Sequence, residues 1–409
     1  MELDINKESW VPTTLEQVAE WYQRDIPNKR QKEEGITSYV TANHIDTDAI
    51  SLTRFNELAD GQKGPTITKH FEAGDVLLST RSVGLRKASQ AHVSGVTGEK
   101  VLVLRPKRNS ELLAELFPFI LHSRRFWDFA QNTAAGSVNK FTSWNKIKNH
   151  EFLLPPKDQQ THLAELLWAA EAQLRNVLDV ADRLRTLYAA RREFLCFEGA
   201  IGSDSEWHSR LKRNVPIETK YSRLGEHLTD IRYGTSKKSN SDKRGTQCVG
   251  IPHVLNENLN SEGAAFVELT EKEQRLIQLR ASDILIVRTN GNPSYTGRSA
   301  LVPTDTDLVF ASYLIRLRAN EEKFDPEFLI RYLQTQTIRK YFRRHATSSA
   351  GNYNINTEDI KGVPVPEIDI STQTSIANDL SVLEGNRNSA RIAATSSRQL
   401  LKSLINQIF

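Results

Sequence analysis

Arg81, Ser82, Arg86 and Lys87 lie just after one short apolar run of the sequence, and Arg288, Thr289, Asn290, Asn292 and Arg298 lie just after another. Guanidinium forks and carboxamides match the hydrogen-bonding edges of guanine and adenine in the major groove of a duplex. Loops of this kind can read bases, or can simply face water. Two further segments, Ala134 to Lys140 and Ser348 to Asn354, combine small residues with the donors Asn139, Lys140, Asn352, Tyr353 and Asn354. Each follows a basic stretch, Arg124-Arg125-Phe126-Trp127 or Arg339-Lys340-Tyr341-Phe342-Arg343-Arg344. Small side chains let a backbone approach a phosphate closely, although a tight structural turn has the same composition. The helical aromatics Trp127, Tyr341 and Phe342 suit core packing. From Arg210 to Arg244, ten basic residues, Lys237 and Lys238 among them, outnumber the acids Glu218, Glu226, Asp230 and Asp242. That excess suits a polyanion and equally a solvated face.

Catalytic chemistry finds less support. Asn292-Pro293-Ser294-Tyr295 looks like the Asn-Pro-Pro-Tyr loop with which amino-methyltransferases hold an adenine amine. Such an enzyme also needs a glycine-rich turn to cradle S-adenosylmethionine, and the chain has no Phe-x-Gly-x-Gly-like segment. Asp307 with Glu321-Glu322-Lys323 can be forced onto the acid, acid-x-lysine pattern of metal-dependent nucleases. The second group, however, falls in a polar stretch before Asp325-Pro326 that reads as a loop opening a helix, and metal-holding carboxylates need a rigid strand. His44 and His253 fall in matching places, in Tyr39-Val40-Thr41-Ala42-Asn43-His44 and Cys248-Val249-Gly250-Ile251-Pro252-His253, with no second ligand at fixed spacing. They read as structural or DNA-facing. Cys196 and Cys248 are too few for a disulfide framework or a zinc site. No catalytic residue, cofactor or metal is assigned to this chain.

The elements that must position these groups occur twice. Phe71-Glu72-Ala73-Gly74-Asp75-Val76-Leu77-Leu78-Ser79-Thr80-Arg81 lines up with Leu279-Arg280-Ala281-Ser282-Asp283-Ile284-Leu285-Ile286-Val287-Arg288-Thr289. Both predict a turn, an acid and a short buried strand. Pro155-Pro156 with Gln159-Gln160, and Val365-Pro366 with Gln373, open two long helices. In steps of four and three, Leu163, Leu167, Ala170, Leu174, Val177, Ala181, Leu184, Tyr188, Arg191 and Leu195 form one seam. Ile376, Leu380, Leu383, Arg387, Ala390, Ala394, Ser397, Leu401, Leu404 and Ile408 form the other. A four-three repeat needs a partner along its whole length, and each helix has one available in the other, antiparallel. Packing of each helix on its own preceding domain is the alternative. The reading is α+β: a first globular domain over 1–157, a helix over 158–200, a second domain over 201–366 and a last helix over 367–409. At 409 residues, with 25% charged and 38% hydrophobic residues and a net charge of +4, the chain is an ordinary globular protein by composition. It has no apolar run of about 18 residues to span a membrane, and its acidic start, Met1-Glu2-Leu3-Asp4, is unlike a signal peptide. The cytoplasm is the expected location.

The doubled order, the Gly-Asp and Ser-Asp strands, Gly136-Ser137-Val138-Asn139 and Gly351-Asn352-Tyr353-Asn354, the proline entries and the glutamine after each resemble the specificity subunits of type I restriction-modification enzymes. The resemblance covers essentially the whole chain. One departure is that many relatives have Glu-Gln after the proline entry, where this chain has Asp158-Gln159-Gln160 and Ser371-Thr372-Gln373. The resemblance implies two target-recognition domains, each reading one half of a bipartite double-stranded DNA site, on a long antiparallel two-helix coiled coil that docks two methyltransferase subunits. Restriction and translocase subunits would complete the assembly, with S-adenosylmethionine, ATP and Mg held by the partners and no enzyme activity in this chain. It makes Arg81, Ser82, Arg86, Lys87, Asn139, Lys140, Lys237, Lys238, Arg288, Asn290, Arg298, Asn352, Tyr353 and Asn354 the expected DNA-binding residues. Alternatives are the recognition subunit of a related methylating phage-defence system and, from another class, a self-contained DNA-modifying enzyme.

Overall fold

Val76, Leu77 and Leu78 are all fully buried, as are Leu285, Ile286 and Val287, so the two aligned apolar runs are strands covered on both faces. The computed structural model describes residues 5–58, 64–137, 139–198, 204–240, 242–255, 257–349 and 351–409. The acidic start, Val138, Ala350 and the expected boundary at 200/201 lie outside the described residues. The strands are Val76–Ser79 and Ile284–Val287. Side chains of a strand alternate between faces. Val76 and Leu78 enter one core cluster, with the helical Phe117, Phe126 and Trp127, while Leu77 enters a second, with Val40, Phe71 and Val103. The second strand does the same: Ile284 and Ile286 join Phe328, Tyr341 and Phe342, and Leu285 and Val287 join Val249, Val309 and Phe310. Each run is apolar throughout because it is the middle layer of three.

The chain divides into two compact units, residues 1–180 with 390–409 and residues 181–389, so the division cuts through both long helices rather than between domains and helices. In the first unit a four-stranded sheet has the order Ala19–Trp21, Val101–Pro106, Val76–Ser79, Ala88–Gln90. A second sheet has the order Asn56–Glu57, Ser38–Val40, Gly95–Gly98, Ile67–Phe71. Helices Phe117–Ile120 and Arg124–Thr133 follow. The second unit repeats the plan, with Leu228–Tyr233, Leu314–Ala319, Ile284–Val287 and Ser299–Leu301 in line within a six-stranded sheet, then helices Pro326–Leu333 and Gln336–His345. The result is α+β, as expected.

The duplication reaches single hydrogen bonds. Asp75 receives the Glu72 N–H at 2.8 Å and both arms of Arg105 at 2.6 and 2.8 Å. Asp283 receives the Arg280 N–H at 2.8 Å and both arms of Arg318 at 2.7 and 2.8 Å. His44 Nδ1 accepts from the Thr41 N–H at 3.2 Å and His253 Nδ1 from the Gly250 N–H at 2.8 Å, so these matched histidines close matched turns. Gln160, 1% exposed, accepts from the Leu113 N–H and donates to the Glu111 and Pro155 carbonyls. Gln373, fully buried, accepts from the Asp325 N–H and donates to the Lys323 and Ile368 carbonyls. The glutamine after each proline entry is therefore a latch between the first turn of a long helix and the loop entering a domain helix.

The long helices are Lys157–Phe197 and Ile370–Ile408. No seam residue of either is exposed. In the first unit Leu167 and Leu174 share a core with Leu401, Leu404 and Ile408, and in the second Tyr188 shares one with Ile376 and Leu380. The two helices thus pack together within each unit. The first of them is also clasped in both units. Ser51 donates to the buried Glu171 at 2.6 Å, and Tyr188 donates to the buried Glu257 at 2.8 Å, with Arg192 paired to the same carboxylate. Glu257 holds a left-handed backbone at φ +79°, which costs a non-glycine residue strain of about 1 kcal/mol or more. Among the described residues no helix is long and apolar enough to cross a membrane.

Candidate nucleic-acid interface

The loop after Val76–Ser79 turns on two left-handed residues, Ser82 at φ +53° and Arg86 at φ +47°, around the short 3-10 helix Val83–Leu85. It meets the second expected segment directly. Arg81 bridges Phe141, the Thr142 N–H donates to the Thr80 carbonyl at 2.8 Å, and the Val83 N–H reaches the Lys140 carbonyl at 3.4 Å. Ala135 and Phe141 exchange both backbone hydrogen bonds, at 2.9 and 2.8 Å, closing a hairpin that turns at Gly136, φ +95°. Arg81, Asn139 and Lys140 are exposed on one surface and Ser82 is half-buried beside them. Arg86 and Lys87 point inward. Arg86 pairs with Asp48 at 2.8 Å, which also holds Lys402, and Lys87 donates to the Ala42 carbonyl at 3.0 Å. Both head groups are thus engaged within the first unit, where they brace the loop.

In the second unit Thr289–Asn290, Asn352–Asn354 and Thr347–Ser349 form one small sheet in which Thr289 pairs with Asn354 and Asn290 with Tyr353. This brings together five of the expected residues, Arg288, Asn290, Asn352, Tyr353 and Asn354, and Arg298 closes the same hairpin through its carbonyl to the Val287 N–H at 2.8 Å. Two of the guanidiniums are stacked: Arg288 lies 4.7 Å from the Tyr233 ring centre and Arg298 3.9 Å from that of Tyr295. A ring beneath a planar guanidinium favours one orientation of it; Nη1 of Arg288 also reaches the Ser312 carbonyl at 3.5 Å. Tyr233 and Tyr295, both exposed, were not anticipated. Their signal is only an aromatic near an arginine in space, and Tyr233 lies far from Arg288 in the sequence.

Other expectations resolve into structure. Asn292 accepts from the Ser294 N–H at 2.9 Å and the Ser294 hydroxyl at 2.8 Å, so in the Asn-Pro-Ser-Tyr stretch its oxygen shapes a turn. Asp307 accepts from Gln278 at 3.2 Å, and Asp325 caps the helix Pro326–Leu333, as a loop before a helix requires. Trp127, Tyr341 and Phe342 are buried. Among the described residues, four of the ten basic residues of the run are ion-paired within the unit. Arg213 pairs with Glu193 and Glu198, Arg232 with Asp230, Lys237 with Glu273 at 2.6 Å and Arg244 with Asp242. Lys238 is exposed. Lys237 is directed to Glu273 rather than to the Arg288 cluster.

No protein-family model matches the chain. In sequence it is similar to the specificity subunits of two type I restriction enzymes. It is 33% identical to that of StySPI from Salmonella potsdam over 98 residues, 24% of this chain and 21% of the relative. It is 23% identical to that of EcoKI from Escherichia coli K12 over 234 residues, 55% of this chain and 50% of the relative. The chain thus matches half or less of the length of these curated relatives. In fold it is similar to the S subunit of a type I restriction-modification system from M. genitalium, at TM-score 0.58 and 14% identity over 100% of this chain and 98% of that one. It is similar also to a chain from a type I R-M system studied for its complex assembly and conformational transition, at TM-score 0.56 and 17% identity over 98% and 97%. The resemblance carried by the motifs is therefore one of sequence and of fold.

Proposed function

We propose that the chain is the specificity subunit of a type I restriction-modification complex, reading a bipartite double-stranded DNA target and directing adenine-N6 methylation and cleavage by partner subunits. The observation that carries the reading is the doubled plan: two units of one architecture, each with a loop-and-hairpin surface carrying arginine and asparagine at the end of its central strand. Two such surfaces suit a target in two parts. The long helices act as an antiparallel coiled coil that sets the separation of the half-sites and offers a surface to two methyltransferase subunits. The exposed Leu187 and Phe194, 52% and 43% accessible and seven residues apart on one helix face, support docking of a partner there. S-adenosylmethionine, ATP and Mg belong to the partners on this reading, and the assembly works in the cytoplasm. The engagement of Asn292 in its own turn argues against using that loop to hold an adenine amine.

The test is to map N6-methyladenine across the genome of a host expressing this chain with its methyltransferase. The expected result is a motif of two short specified parts around an unspecified gap, lost when the chain is deleted. A methylome indifferent to the chain contradicts the proposal, and so does S-adenosylmethionine binding by the purified chain alone.

A further inference from the structure

The helix Gln336–His345, capped by the Thr335 hydroxyl, buries Tyr341 and Phe342 and carries Arg339, Lys340, Arg343 and Arg344. Four other partly buried arginines of the second unit find carboxylates: Arg192 pairs with Glu257, Arg213 with Glu193, Arg318 with Asp283 and Arg331 with Glu327. Arg339 has only a carbonyl. Its Nη2 donates to Ser294 at 2.5 Å, and its Nη1 is buried with no hydrogen-bond partner. Gly297, at φ +79°, makes room for it, since a Cβ there would lie 2.9 Å from Nη1 and 2.5 Å from Phe342. Burial, and then the charges of Arg343 and Arg298, bring Arg339 down to about 10, so it is still a cation at neutral pH. Among the described residues no ion pair involves Arg298, Arg339 or Arg343.

A buried cation without a counter-charge, beside two more of the same sign, is unfavourable in the free protein. An anion seated against it relieves that cost, and guanidiniums hold phosphate oxygens in pairs. We propose that Arg298, Arg339 and Arg343 form a seat for one phosphodiester of the DNA backbone, with exposed Arg343 and half-buried Arg298 donating to it and Arg339 supplying charge from beneath. The seat adjoins the base-reading candidates, because the Thr296 hydroxyl of the same turn donates to the Tyr353 carbonyl at 3.3 Å. It would hold the hairpin in register on the duplex while Arg288 and the asparagines face the bases. The inference rests on the DNA-recognition reading above.

The test measures binding of the full chain to a duplex of unrelated sequence over a range of salt, beside the melting temperature of the unliganded chain, for Arg339→Met and Arg343→Ala. Each variant is expected to bind several-fold more weakly and to lower the slope of log K against log salt by about 0.9, the loss of one phosphate contact. Removal of a like charge should leave the melting temperature unchanged or raise it. An unchanged slope in both variants, with wild-type chain still binding, overturns the seat and leaves DNA recognition standing. A lower melting temperature in Arg339→Met, with an unchanged slope in Arg343→Ala, assigns Arg339 to folding and overturns the seat as well. If inorganic phosphate raises the melting temperature of wild type alone while the slopes do not move, the site takes free phosphate and the DNA assignment fails. A wild-type chain that binds no duplex at all overturns the recognition reading itself.

Discussion

Arg288 and Lys237 carry the same charge and have different surroundings. Arg288 lies over the Tyr233 ring, whereas Lys237 lies against the exposed Glu273. If Arg288 pairs with a guanine, Arg288→Ala should cost about 1 to 3 kcal/mol on the cognate duplex and relax specificity at one base pair. Lys237→Ala should weaken binding to all duplexes slightly and alike. Titration against the cognate site and its single-base variants separates the two, and equal small losses would mean that the recognition surface lies elsewhere. Which basic residues are free was not legible in the sequence. Arg86 and Lys87 look like Arg81 there, and only the fold shows that Asp48 and the Ala42 carbonyl hold them. Away from that surface, His150 is 3% exposed among Phe126, Phe129 and Phe152, with Nε2 unpartnered. Burial lowers it from 6.5 to about 4, so between those values the unfolded chain binds more protons than the folded one. Stability must then fall as pH drops through that window, by about 3 kcal/mol at most from this group. Thermal melts of His150→Leu should show a shallower acid limb, and an unchanged limb would mean that the ring is already solvated.

Gln160 and Gln373 are the points at which each long helix is tied to its unit. Gln373→Ala would leave the Asp325 N–H and the Lys323 and Ile368 carbonyls without their partner, at a cost of about 2 to 4 kcal/mol. Chemical denaturation reads this, and a change below about 0.5 kcal/mol would show that water replaces the side chain. The four-three seams are the part of the fold most legible in the sequence, because helical periodicity is local and each seam residue needs only its neighbours at three and four steps. The seams say nothing of the apolar residues beside them. Leu174 is 8% exposed and Leu187 is 52% exposed, on the same helix and of the same type. Leu174→Glu should cost several kcal/mol through an unpaired buried charge. Leu187→Glu should leave folding within about 0.5 kcal/mol and weaken partner assembly instead. Folded, fully assembled Leu174→Glu chain would contradict the packing of the two helices. The paired strands Val76–Ser79 and Ile284–Val287 were legible from their repeat, whereas the small sheet at Asn352–Asn354 was not, since its strands are short, polar and brought together from distant sequence.

For the whole molecule the claim is that two similar units read two half-sites and that the long helices set the gap between them. The units share Asp–Arg clamps, histidine turns and glutamine latches but present different side chains at their surfaces, stacked arginines in one and Arg81 with Asn139 and Lys140 in the other. Unlike half-sites are therefore expected. The division between units falls after Val180 in one long helix and after Ser389 in the other. A heptad inserted at both places keeps each seam in phase and lengthens each helix by about 10 Å at 1.5 Å per residue. At about 3.4 Å per base pair this corresponds to at most about three base pairs, fewer if the helices run at an angle to the duplex. Sequencing of the methylome made by the lengthened chain with its methyltransferase tests the claim directly. The account predicts both half-sites unchanged and a gap longer by about one to three unspecified bases, and retained methylation with an unaltered gap would contradict it.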